Sequence, residues 1–367
     1  MCLEHFVGQT NEQSTSRSDR REIGSEFHWM GLPQAPFISW PEPAAWYLLG
    51  RHAVADLLRN LPAISRRLWV PNYFCHDVTE YWRDFAQIAM YVDDPRRPEP
   101  DWSTLQPAKN DVVLAVNFFG VRASQPWQHW REKHPCILLE DHSHDTVSGW
   151  AQCSRADYAF SSLRKTMPIP DGAILWSPLG HPLPIIVDVD FSGSALKLAA
   201  MIWKREYLEG RATSAAKAVY RQWQRAGEDA FDRSMKISSA SPYSQQYLTC
   251  GMPVKWRRQR VANVRRLLQQ VQVSFGAQPL FASWPSDSVP LAAVFCFASQ
   301  MARDLVRKRL EECNVYCPVH WPAPPHCDVA VRELAATILT IPTDHRYRKV
   351  DMDRIARILC NNPYDCG

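Results

Sequence analysis

The sequence predicts an α/β fold, with a doubly wound, mostly parallel sheet flanked by helices and a smaller α/β unit at the C-terminal end. Two observations carry this reading. From about residue 46 onward, short apolar runs of strand length alternate with stretches of helical spacing. Residues able to do chemistry, among them Asn117, Asp141 and Lys165, fall where those runs end, and open α/β sheets gather their ligands beyond the carboxyl ends of their strands.

The elements follow in order. Residues 46–61 show helical spacing behind Gly50, and Arg67-Leu-Trp-Val-Pro71 reads as a short buried strand. Residues 76–85 suit a helix, 88–92 a strand, 111–117 a strand, 126–133 a helix and 137–139 a strand. A strand at 157–162 and another at 173–176 follow. Residues 194–226 and 253–272 are rich in helix formers, with a loop between them at 238–244. Strand, helix and strand at 291–297, 301–313 and 337–342 close the chain. The expected organisation is a flexible polar segment over 1–26, a large α/β domain over 27–190, a helical connection over 191–275 and a small α/β domain over 276–367.

Composition narrows the class. Of 367 residues, 46% are hydrophobic and 22% charged, as in ordinary globular proteins. A net charge of +4, from 42 basic and 38 acidic residues, argues against nucleic acid and membrane surfaces as partners. The locally basic run Lys255-Trp-Arg-Arg-Gln-Arg260 reads as a solvated helix face, with attraction of a phosphate or sugar nucleotide as the second reading. Eleven cysteines lack the paired spacing of structural zinc, and no secretory signal or long apolar span occurs, so free thiols in a cytoplasmic protein are expected. The 15 tryptophans are assigned to core and interface packing.

The chemistry concentrates in two stretches. Cys136-Ile-Leu-Leu-Glu-Asp-His-Ser-His-Asp145 is an apolar strand ending in acids, and Asp157-Tyr-Ala-Phe-Ser-Ser-Leu-Arg-Lys-Thr166 is a second strand ending in serines and a lysine. That layout suits pyridoxal phosphate. Lys165 can form a Schiff base with the cofactor aldehyde, and Asp141 can pair with the protonated ring nitrogen and hold the ring as an electron sink. Ser161, Ser162 and Arg164 can supply the hydrogen bonds a phosphate needs. Other readings stay open at this level. His142 and His144, with flanking carboxylates, can be read as a metal site for hydrolysis. Ser162-Leu-Arg-Lys165 matches the serine tetrad of β-lactamases, though its companion motifs are absent.

Around this core the chain resembles the DegT/StrS-type aminotransferases of the aspartate aminotransferase superfamily, fold type I. The likeness runs through Glu140-Asp-His-Ser-His, through residues 156–165 and through Pro170-Asp-Gly-Ala-Ile-Leu175. Gly50-Arg-His-Ala-Val, Val70-Pro-Asn-Tyr-Phe-Cys75 and Val116-Asn-Phe-Phe-Gly120 extend it, so that it covers roughly residues 45–360. The resemblance implies that the backbone of Gly50 and Arg51 takes the cofactor phosphate, with Arg51 in place of the usual Thr. It implies that His144 joins Asp141 beside the ring. The ring-stacking aromatic falls at Cys75, with Tyr73 and Phe74 beside it. His320 and His345 lie in segments that resemble the family's small-domain stretches near substrate.

The resemblance further implies an aminotransferase that carries an amino group from a small amino donor, glutamate by analogy, to a small-molecule carbonyl such as a keto-sugar nucleotide. It implies biosynthetic work and a homodimer. Aldol cleavage, decarboxylation or substitution on the same cofactor, and an inactive family member, are the alternatives.

Overall fold

A computed structural model describes residues 22–62, 67–234, 236–271 and 277–360 of the chain. Strands β1 (Ile23–Gly24), β2 (Phe37–Ile38) and β3 (Ala44–Tyr47) lead into helix α1 (Gly50–Asn60). The large sheet continues through β4 (Arg67–Pro71), α2 (His76–Trp82), β5 (Gln87–Tyr91), β6 (Val112–Val116), α3 (Gln125–Arg131), β7 (Ile137–Asp141), α4 (Gly149–Gln152), β8 (Tyr158–Ser162) and β9 (Ala173–Trp176). Helices α5 (Ser192–Leu208), α6 (Ala216–Arg233) and α7 (Pro242–Leu248), strand β10 (Met252–Pro253) and helix α8 (Val254–Gln270) come next. The chain closes with β11 (Ala277–Pro279), β12 (Ala293–Phe297), α9 (Gln300–Glu312), β13 (Val315–Tyr316), α10 (Val329–Thr337), β14 (Ile338–Ile341) and α11 (Lys349–Cys360).

Seven strands form one sheet in the order β3-β9-β8-β7-β6-β4-β5. Strand β9 is antiparallel to both neighbours, and β5, β4, β6, β7 and β8 run parallel. The expected doubly wound, mostly parallel sheet is therefore present. Its interior strand β6, Val112-Val-Leu-Ala-Val116, is buried at every position, as a strand covered on both faces must be. Helix α1 lays Ala53, Val54, Leu57 and Leu58 against the sheet, all essentially fully buried. Each leucine there contributes about 1.5–3 kcal/mol of burial.

Several expected elements differ. Residues 44–47 extend the sheet instead of starting the helix: Tyr47 pairs with Ala173, and the helix opens only at Gly50. The 194–226 stretch is two helices, α5 and α6, separated near Gly210 at φ +77°. Pro242 stands at the start of a helix within the expected 238–244 loop, where its fixed φ suits a first helical position. The C-terminal unit has a three-stranded antiparallel sheet, β11-β12-β14. Leu267 of α8, Phe295 of β12, Leu310 of α9 and Ile355 of α11 share its core.

Of the expected flexible segment, residues 1–21 lie outside the described residues, while residues 22–26 are fixed. Ile23 is fully buried and pairs with Val315 of β13. Glu22 accepts hydrogen bonds from Tyr220 at 2.9 Å and pairs with Lys217 at 2.6 Å. The polarity that suggests a leader is matched here by cations on α5 and α6. The expected boundary at 190–191 falls between β9 and α5, and that at 275–276 falls outside the described residues.

Beyond β6 the chain turns sharply through Phe119 (φ +55°) and Gly120 (φ +74°). A Cβ on Gly120 would stand 2.7 Å from the Val289 carbonyl oxygen and 3.1 Å from that of His144. Gly120→Ala is therefore expected to lower stability by about 1–3 kcal/mol, read as a lower urea midpoint with an unchanged slope.

Candidate active site

Strands β7 and β8 end side by side, with Asp141 in register with Phe160. Asp141 is 5% exposed and points its carboxylate into a cavity of about 950 Å³. Its Oδ1 accepts from the Ser143 backbone at 2.8 Å, and its Oδ2 has no partner among the described residues. Ser143 in turn accepts from the Ser162 backbone at 2.9 Å, so one hydroxyl ties the two strand ends together.

A short 3-10 turn, residues 163–165, delivers Lys165 into the same cavity. Its Nζ has no hydrogen bond or ion pair among the described residues and lies 5.9 Å from the centroid of the Trp321 indole. On another wall, helix α1 opens at Gly50, whose N-cap Leu49 offers no side-chain cap. Free N–H groups at a helix start, aligned with the helix dipole, attract anions. A Cβ on Gly50 would come within 3.3 Å of the Ser162 Cβ, so the two strand-end residues and this helix start are close neighbours.

The other candidates divide. Gly50, Arg51, Phe74, Cys75, Ser162 and His320 line the cavity with Asp141 and Lys165. Arg51 also donates to the Phe231 carbonyl and to Asp232, each at 2.8 Å, which anchors it to the end of α6. Ser161 faces away, bonded to Thr146 at 2.5 Å and to the His142 carbonyl at 3.1 Å. Asn117 is buried behind the wall, where its Oδ1 accepts from the Arg122 backbone at 3.1 Å. Tyr73 is buried with its hydroxyl donating to the His320 carbonyl. His345 stacks on Trp256 with ring centroids 3.9 Å apart and does not line the cavity.

Arg164 lines the cavity but is engaged by Glu228 through hydrogen bonds of 2.8 and 2.5 Å. Lys197 bonds the same carboxylate at 2.7 Å and also Glu26 at 2.5 Å. Burial alone would raise the Glu228 carboxyl, but Arg164 and Lys197 hold it well below the usual range. Gly24, Ser25, Glu26 and Phe27 form a strap along the lining of the same cavity.

His144 and His142 point to different places. The Nδ1 of His144 accepts from the Phe119 backbone at 2.8 Å, and its ring is sandwiched between Phe119 and Trp321, each tilted by 16° to it. Burial and then the Lys165 charge push its pKa well down, so it is neutral with the proton on Nε2, a buried donor without a partner. His142 pairs with Glu140 at 2.9 Å and packs against Trp150 and Trp176. Among the described residues no three His, Cys, Asp or Glu side chains converge in a way that would hold a metal.

These features fit pyridoxal phosphate. An amine, an acid with one free oxygen and an uncapped helix start adjoin one cavity, while His144, with its orphaned imidazole N–H, is buried behind the lining residue Trp321. Sequence reasoning missed Trp321, the strap and Arg260. Arg260 was legible in principle: it precedes Val264 and Leu267 by four and seven residues, on the apolar face of α8, and is 4% exposed.

No family model and no curated protein sequence matches the chain. In structure it is similar to DesI in the presence of its TDP-sugar product, at 16% identity over 86% of this chain and 79% of that one, with a TM-score of 0.53. NtdA from Bacillus subtilis with bound cofactor PMP is 12% identical over 87% and 73%, with a TM-score of 0.54. A DegT DnrJ EryC1 StrS aminotransferase from Brucella abortus is 13% identical over 86% and 84%, with a TM-score of 0.55.

The neutral imidazoles set an acid limit. Burial and the Lys165 charge bring His320 down to about 4, and the same two causes lower His144 further. An unfolded histidine binds its proton near about 6.5. Between about pH 6.5 and 4 the unfolded state therefore holds more protons, and stability should fall as pH falls, by up to about 1.4 kcal/mol per unit for each histidine. Urea midpoints measured down this range should show that slope, and His144→Gln should flatten it. These likenesses give the chain the fold of the DegT/DnrJ/EryC1/StrS-type aminotransferases, fold type I.

Proposed function

We propose that the chain is a pyridoxal-phosphate-dependent aminotransferase that moves an amino group from a small amino donor to the carbonyl of a small acceptor. The observation that carries the reading is the pairing of Lys165 and Asp141, an amine and a carboxylate each with a free atom, in one cavity with an uncapped helix start. Bound there, the cofactor supplies an electron sink that makes the donor's α-hydrogen acidic.

The chain's own residues do the rest. The N–H groups of Gly50 and Arg51, with Ser162, hold the phosphate. Asp141 accepts a hydrogen bond from the ring N–H and keeps that proton in place. His144 offers its Nε2–H to an oxygen acceptor. Lys165, with no acid to neutralise it, anchors the cofactor and then moves the proton at the donor α-carbon. Trp321 and the strap narrow the mouth against water.

The PMP bound to NtdA and the TDP-sugar product of DesI, both in folds like this one, support the cofactor and a keto-sugar nucleotide as the acceptor class. A second copy is part of the same reading: Ile185 and Val187 are 88% and 83% exposed in the segment after β9, an unusual exposure for branched apolar side chains. Sedimentation of a monomer at micromolar concentration would contradict it. Among the described residues no helix is long and apolar enough to cross a membrane, and nine described cysteines are free.

The decisive test is spectroscopic. The purified chain with added cofactor should show a near-visible band that borohydride fixes to Lys165. Lys165→Ala should abolish the band and lower turnover by about 10²-fold or more. Asp141→Asn should keep the attachment but slow the donor half-reaction. A persistent band in Lys165→Ala, or wild-type turnover in Asp141→Asn, would overturn the assignment.

A further inference from the structure

We propose that Glu228 is a positioning residue for the Lys165 amine: it acts through Arg164 on the turn that carries the lysine, and through Lys197 it ties that turn to the strap. The role rests on the aminotransferase reading above. The turn, residues 163–165, is held at two points. Leu163 is fully buried and its backbone N–H donates to the Gly172 carbonyl at 2.9 Å, while Arg164 reaches across to α6. There the guanidinium is gripped on its edge and on its face. The Glu228 carboxylate accepts from it at 2.8 and 2.5 Å, and the ring of Phe231, three residues further along the helix, has its centroid 5.6 Å from the guanidinium carbon. Lys165 itself makes no hydrogen bond or ion pair among the described residues. The direction of its amine therefore follows from how residues 163 and 164 are held.

The packing of α5 on α6 places the parts. The two helices meet at Gly193 and Gly227, where a Cβ on Gly193 would stand 2.9 Å from the Gly227 carbonyl oxygen. A Cβ on Gly227 would stand 2.6 Å from Cγ of Lys197, so the lysine stem lies against the backbone next to Glu228. Lys197 is 4% exposed, and its amine bonds Glu228 at 2.7 Å and Glu26 of the strap at 2.5 Å. Glu26, Lys197, Glu228 and Arg164 thus form a row of alternating charge in which each inner member has an opposite charge on both sides. A bidentate carboxylate sets the plane of a guanidinium as well as its distance, which a single point charge does not. Glu228 therefore neutralises Arg164 and also fixes the angle at which the turn presents the next residue.

The test uses the full chain with saturating cofactor. Stopped-flow absorbance follows the growth of the near-visible band, which reports attachment to Lys165, and urea midpoints are measured beside it. Glu228→Gln keeps the size of the side chain but loses its charge and its two-fold acceptance. It should slow attachment by about 10- to 100-fold. Glu26→Gln touches neither Arg164 nor the turn and lies on the strap, so it should slow attachment by a smaller factor; it carries the test if Glu228→Gln does not fold.

A second comparison separates position from stability. In Arg164→Met/Glu228→Gln no arginine is left without its acid, and Lys197 keeps Glu26, so the urea midpoint should return towards that of wild type. Attachment should stay slow, because the turn has lost its fork. A wild-type attachment rate in Glu228→Gln, or a double variant whose attachment recovers together with its stability, would overturn the positioning role. An unaltered rate in Glu26→Gln would overturn the tie to the strap. Absence of any band in wild type would sink the aminotransferase reading itself.

Discussion

The site depends on one constraint: the register that sets the end of β7 level with Phe160, two residues before the end of β8. Parallel pairing of Asp141 with Phe160 sets that level, and a slip of one residue would turn every side chain of β8 to the other face. Lys165 sits three residues beyond Ser162, too few to recover from such a slip. The Ser143 hydroxyl adds a local lock, because it accepts from the Ser162 backbone while the Ser143 backbone donates to Asp141. Each bond contributes only about 0.5–1.5 kcal/mol net. Their value lies in orienting a carboxylate and a lysine that no direct contact joins.

Charge burial organises the remainder. Arg122 with Asp93, Lys204 with Glu22, Arg346 with Asp344 and Arg164 with Glu228 are paired cations in or near the large-domain interior. Leaving one partner of a fully buried pair such as Arg122 and Asp93 alone costs about 3–5 kcal/mol. Against that background two cavity cations without an ion pair among the described residues, the Lys165 amine and the Arg260 guanidinium, differ in kind. The amine is exposed to the cavity and keeps its solvation; the guanidinium is buried and does not. An anion therefore relieves the second far more than the first, which leaves the amine available for chemistry.

Much of this was legible in the sequence, and the parts that were not share a cause. Strands β4, β6, β7, β8 and β9 announced themselves because buried parallel strands are short uninterrupted apolar runs. Asp141 and Lys165 were legible because they terminate two such runs. Trp46 and Tyr47 were misread as helix because an edge strand of four residues has too few positions to display a period of two. Ser161 and Ser162 looked equivalent, but alternation along β8 sends the first hydroxyl to Thr146 and leaves the second at the cavity. Arg260 was hidden by the five residues before it, three of them basic, whose composition suggests solvent while the helical period places the sixth inside. The strap and the pairing of Arg164 with Glu228 join residues 64 to nearly 300 positions apart, and no local pattern encodes such a distance.

The strap also explains why its own sequence looked unstructured. A segment that lines a cavity cannot be held by apolar packing there without filling the space beside it. Residues 22–26 use a different means. Ile23 alone is driven into the core, while Glu22 and Glu26 are held by Lys217, Lys204 and Lys197 from α5 and α6. Lys197 joins Glu26 to Glu228, and Glu228 joins Arg164, one residue before Lys165. The wall that presents the lysine and the strap that lines the same cavity are thus two ends of one chain of ion pairs. An apolar strap would close the cavity; a polar one can line it, and its low hydrophobicity follows from that requirement.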